Sequence, residues 1–186
     1  MLRAGGPRHR AYGGAVRLDV LLRYPGDPQR VAQLLADPAV LDRLLTASDA
    51  LSHEVDVQGG PEGRFVVTIE RVLPTDELPE MARRFVGASM RLRQVDTWEA
   101  PAADGSRTGT TELQVPGAPV TATATTGLRP VRTGVVPGRG VHTEHSVSGT
   151  LTAAVPLLGG KIERAAEEPV VRALRDQERE IGQLLA

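Results

Sequence analysis

Cysteine is absent from the 186 residues. Disulfides, thiolate metal sites and cysteine nucleophiles are therefore excluded together. Aromatic residues make up only 3%, with one Trp, two Tyr and two Phe. The core must be built from Val, Leu, Ile and Ala, and any cavity it lines is aliphatic. Lysine is nearly missing: Lys161 is the single one, and every other basic residue is Arg. With the richness in Ala, Gly, Val and Pro, this reads as the mark of a GC-rich genome rather than of phosphate binding. No excess charge of either sign is present, since the net charge is −1 and the pI about 6.4. That leaves no electrostatic case for nucleic acid or an acidic membrane surface. No uncharged apolar run approaches the roughly 20 residues of a membrane span. Arg3, Arg8 and Arg10 are not followed by an apolar segment, so no secretory signal is expected. The expectation is a cytoplasmic protein with no transmembrane segment.

What is present is ordinary globular composition, 40% hydrophobic and 24% charged, at the length of one domain. Residues 1–14, rich in Gly and Pro, are expected to form a disordered extension, leaving residues 15–186 as a single domain. From Val16 to Tyr24 apolar and polar residues alternate, the pattern of a half-buried strand. Asp27-Pro28 and Asp37-Pro38 each fit an N-cap followed by Pro at the first helical position, so two short helices follow. The period then changes to two. Strands are expected over His53–Gln58, Arg64–Leu73, Ala88–Glu99, Thr108–Val115, Val120–Leu128 and Val141–Val155. Pro74–Gly87 breaks the pattern and has room for a short helix, while Val131–Gly140 is a loop rich in Gly and Pro. The chain closes on one long amphipathic helix after the turn Leu157-Leu158-Gly159-Gly160. Its apolar positions are Ile162, Ala165, Ala166, Val170, Ala173, Leu174, Ile181, Leu184 and Leu185. Pro169 inside it is expected to bend it near Ala165 or Ala166. The order strand, two helices, six-strand meander, long helix gives an α+β fold: a curved antiparallel sheet of about seven strands, with the last helix packed across it.

Several segments carry a resemblance. They are Tyr24-Pro25 at the end of the first strand, the paired Asp-Pro helices, and Gly149-Thr150-Leu151 with Pro156-Leu157-Leu158-Gly159-Gly160-Lys161-Ile162-Glu163. On these, residues 16–185 resemble the helix-grip fold of the START-like (SRPBCC) superfamily, which includes polyketide aromatase/cyclases and lipid-transfer domains. Phe85-Val86-Gly87 and Val115-Pro116-Gly117-Ala118-Pro119 look like one actinobacterial branch of uncharacterised function. The resemblance implies a cavity between the final helix and the sheet. It carries over no catalytic residue.

Candidate chemistry is sparse. His142 and His145 stand three apart on a strand, so they point to opposite faces and cannot share a metal ion. By parity His145 is the inward one, available to a ligand group, to acid/base work, or to a hydrogen bond within the core. Gln177 interrupts the inner face of the last helix and needs a partner, from a ligand, the sheet or water. Arg71 falls on the apolar parity of its strand; buried, it needs a carboxylate or a bound anion, and otherwise a strand end turns it outward. Trp98 either lines the cavity mouth or caps the core. Gly159-Gly160-Lys161 fails the phosphate-loop pattern, because Val155 and Ile162 stand where Gly and Ser or Thr belong. Asp76, Glu77 and Glu80 read as a solvated face. No motif calls for a metal or a cofactor.

The leading reading is a non-enzymatic protein that binds a small hydrophobic molecule, a lipid or polyketide-like metabolite, with His145, Gln177, Trp98 and Arg71 as its polar and aromatic contacts. An aromatase/cyclase- or hydrolase-type enzyme using His145 in the same cavity is the runner-up. A ligand-free structural or interaction module is the third.

Overall fold

The structure is a computed structural model that describes residues 15–132, except 77 and 79, and 140–186. The expectations for residues 1–14, for Glu77 and for most of the loop before Gly140 lie outside the described residues. Strand β1 (Val16–Pro25) leads into helices α1 (Pro28–Leu35) and α2 (Pro38–Thr46). Asp27 and Asp37 cap them, their carboxylates accepting from the Arg30 amide and from the Ala39 and Val40 amides. Strands β2 (Ser52–Gly59) and β3 (Phe65–Pro74) follow, then helix α3 (Glu80–Val86). Strands β4 (Ser89–Trp98), β5 (Arg107–Gln114), β6 (Val120–Arg132) and β7 (Val141–Ala153) complete the meander. Helix α4 (Gly159–Leu185) ends the chain and runs through Pro169 without interruption.

All seven strands form one antiparallel sheet in the order β1-β7-β6-β5-β4-β3-β2. The meander wraps so that β1 closes against β7, with Leu22 opposite His145 and Tyr24 opposite Thr143. One face of the curved sheet holds the core. Leu22, Tyr24, Phe65, Val67, Trp98 and Leu128 bury there against Val31, Ala32 and Leu35 of α1, Leu41 and Leu45 of α2, and Ile181 and Leu185 of α4. The opposite face is hydroxyl-rich, with Thr121, Thr123 and Thr125 exposed.

Helix α4 packs against β1 and β7 and reaches α1 at its far end. Its first turn is set deep in the fold. A Cβ on Gly159 would lie 2.2 Å from the Ala153 carbonyl oxygen, so only glycine permits the approach. The two glycines expected in the connecting turn are in fact the first residues of the helix, because Leu158 occupies the cap position. The apolar stripe is also narrower than its sequence suggests: Ala165, Ala173 and Leu184 are exposed, and Glu163 is fully buried. A helix lying across two strands covers fewer of its residues than one laid into a broad sheet.

Candidate functional site

The inner face of the sheet has two unlike ends. At the end near α1, His145 (3% exposed) lies in a packed aromatic cluster. Its ring stands 6.0 Å from Tyr24 and 5.6 Å from Trp98, centre to centre, and Trp98 stacks on Phe65 at 6.2 Å. Its Nε2 lies 2.6 Å from the Thr126 hydroxyl, while Nδ1 has no partner among the described residues. Burial pushes the imidazole down to about 4, against a weaker opposite pull from Glu178, so His145 is neutral at pH 7. Burial likewise raises the Tyr24 phenol; Gln177 of α4 opposes that rise, although the Tyr24 hydroxyl makes no full hydrogen bond. Arg107 seals this end. Its guanidinium donates to the Gly63, Glu99 and Pro61 carbonyls and to the Gln29 side chain, with its centre 5.7 Å from the Phe65 ring centroid.

The other end is open. Helix α4 buries residues only in its first turns, at Gly159 and Glu163, and in its last, at Ile181 and Leu185. Between Glu163 and Ile181 none is buried. Beneath that span the sheet presents small side chains. Register places Ala124 opposite Gly149 and Ala122 opposite Leu151, and a Cβ on Gly149 would fall 2.3 Å from the Thr123 carbonyl oxygen. Leu113, Ala122, Ala124, Val147 and Val170 are all only half-buried. Few bulky side chains meet between helix and sheet in this span, where Val171 and Leu174 reach the core only half-buried.

A polar group stands farther along the same sheet face, on β3, β4 and β5. The Asp96 carboxylate accepts from the Thr111 hydroxyl and from the Gln94 amide, each at 2.7 Å. Burial raises its carboxyl above the usual range, against the pull of those two hydrogen bonds and of Arg71. Arg71 lies on the same face, between His53 of β2 and Leu92 of β4. It makes no hydrogen bond or ion pair among the described residues, and its Nε is enclosed without a partner. Burial lowers its pKa, and Asp96 pulls the other way.

The four sequence candidates thus separate. His145 and Trp98 sit together in the packed end, Gln177 bears on Tyr24 from α4, and Arg71 stands apart in the open end. His142 lies on the opposite face of β7 from His145, as parity requires. Asp96, Gln94 and Thr111 were missed. The signal was there: Gln94 and Asp96 share the parity of Met90, Leu92 and Trp98 and interrupt its apolar run. Buried Arg107 and Glu163 were missed as well. The Glu163 Oε1 accepts from the Ala153 amide at 2.9 Å, and its Oε2 is unpartnered. Beyond the open end, a surface concavity of about 320 Å³ lies among Val72, Val86, Met90, Val115 and Pro116. Among the described residues no cluster of three or more His, Asp or Glu gathers to hold a metal.

Comparison with known proteins agrees with this architecture. Residues 19–185 match the family described as "Protein of unknown function (DUF2505)". The chain belongs to this family. No curated protein matches its sequence. Among solved structures, a START superfamily protein from Mycobacterium smegmatis superposes with a TM-score of 0.51 at 12% identity, covering 92% of this chain and 99% of that one. Norcoclaurine synthase from Thalictrum flavum, in complex with dopamine and hydroxybenzaldehyde, gives 0.52 at 12% identity, covering 100% of this chain and 94% of that one. This DUF2505 chain has the START-like helix-grip fold. No helix among the described residues is long and apolar enough to cross a membrane.

Proposed function

We propose that the protein binds a small, mainly hydrophobic molecule between α4 and the inner face of the sheet, without transforming it. One observation carries this reading: α4 is buried at both ends and nowhere between, over a floor of Ala and Gly. Small-molecule sites take this form, aliphatic walls with a few converging polar groups. A helix-grip protein such as norcoclaurine synthase, described with dopamine and hydroxybenzaldehyde bound, is consistent with small molecules being held on this fold. The cyclase-type alternative asks His145 to exchange protons with a substrate. Its burial between Tyr24 and Trp98, and its low basicity, argue against that role.

Native mass spectrometry of protein purified from its own host should show a bound mass. Ala124→Leu should abolish it while costing under about 1 kcal/mol of stability, since the added atoms enter open space. Absence of any bound mass in the parent protein, together with a full overpacking penalty of about 1–3 kcal/mol in the variant, would mean that the proposed cavity does not exist.

A further inference from the structure

We propose that the ligand is an amphipathic carboxylic acid, its carboxylate gripped by Arg71 and its aliphatic tail laid across Leu113 and Ala122 toward α4. This rests on the binding site proposed above and names its chemistry. A guanidinium carries five N–H donors. The four terminal ones of Arg107 find three backbone carbonyls and the Gln29 side chain, and only its Nε is left over. Arg71, on the same sheet face and half-buried, uses none among the described residues. A desolvated cation with idle donors is costly unless something supplies acceptors.

Asp96 does not supply them. Both its oxygens are committed to Thr111 and Gln94, and no ion pair joins it to Arg71. It acts on Arg71 through space, balancing charge and leaving the fork vacant. A vacant fork fits the two oxygens of a carboxylate in parallel, whereas an alcohol or ketone would use a single donor. The Asp96 charge also disfavours a dianionic head such as a phosphate monoester. The tail has a track. Ile69, beside Arg71 on β3, pairs with Gln94, then Leu113, then Ala122, in one cross-strand row that ends at Leu151 near α4. From Ile69 to Ala122 the row crosses three strand spacings, roughly 14 Å, the reach of a medium-length alkyl chain.

Decanoate and 1-decanol, titrated calorimetrically into protein stripped of endogenous ligand, test this. The parent protein should bind decanoate at least tenfold more tightly than decanol. Arg71→Met should reduce decanoate to the level of decanol and leave decanol unchanged. Arg71→Lys, which keeps the charge and loses the fork, should fall between. Asp96→Asn should tighten decanoate by removing a like charge. If the parent protein binds both probes equally, the carboxylate assignment is wrong and the hydrophobic site stands. If it binds neither, the assignment and the site fall together. Because the parent comparison alone decides, the proposal does not depend on every variant folding.

Discussion

Two arginines on one sheet face mark the two halves of this molecule. Arg107, 2% exposed, spends its donors on loop carbonyls and closes the packed end over Phe65. Arg71 makes no hydrogen bond or ion pair among the described residues and meets Asp96 only through space; the Nε of both arginines is unpartnered. The packed end is a core of aromatic rings, α1, α2 and the last turns of α4, within which the Tyr24 hydroxyl and His145 Nδ1 are left without hydrogen-bond partners among the described residues. In the open end, Ala and Gly line the sheet beneath a stretch of α4 that has no fully buried residue. Unpartnered buried atoms occur at both ends, so burial of a polar group, taken alone, does not signal function.

The largest test of this contrast truncates one leucine in each half. Leu22→Ala, in the fully buried end, should cost about 3–4 kcal/mol in urea unfolding, by lost transfer energy plus a cavity. Leu113→Ala, in the open end, should cost under about 1 kcal/mol, because its surroundings are already open. Equal costs would erase the distinction.

The pH response should also differ in sign. Between about 6.5 and 4 the unfolded chain binds a proton that folded His145 refuses. Stability should therefore fall by about 3 kcal/mol as pH drops through that window. Asp96 acts oppositely: its carboxyl is raised, so its ionisation above the ordinary carboxylate range weakens the fold. Denaturation midpoints across pH should flatten in His145→Gln and steepen in Asp96→Asn. Parallel curves for the parent protein and His145→Gln would contradict the assignment.

The smallest predicted difference is the most diagnostic. Arg107→Met should cost about 2–3 kcal/mol by stranding buried carbonyls. Arg71→Met should change stability by less than about 0.5 kcal/mol, or stabilise, because it removes an unpaired desolvated charge. A comparable loss at both positions would show that Arg71 is structural.

Much of the architecture was legible in sequence because period and capping are local signals. Alternation located the strands, and the two Asp-Pro pairs located α1 and α2. Parity alone turned His145 inward and His142 out. Arg71 was visible as an intruder on an apolar parity, yet its condition was not, since partners come from strands distant in sequence. Asp96 is bonded to Thr111, on the next strand, and no local pattern announces that pairing. Glu163 reads as an ordinary helical carboxylate until the Ala153 amide is brought to it. The sparse packing under α4 was beyond local reading, because it depends on small residues of β6 and β7 meeting under one stretch of that helix.

One feature of α4 bears on how a ligand gets in. Strand β1 is an edge of the sheet, and the helix takes two of its outward backbone groups: the Arg23 amide donates to Glu178 at 2.6 Å, and the Leu21 carbonyl accepts from Arg175 at 3.0 Å. A helix that swung away to admit a guest would bare that edge to pairing with another chain, the usual start of aggregation. The grip is thus also a guard. On the proposed binding reading, entry on the opposite flank, past α3 and Met90, would leave the strand edge covered.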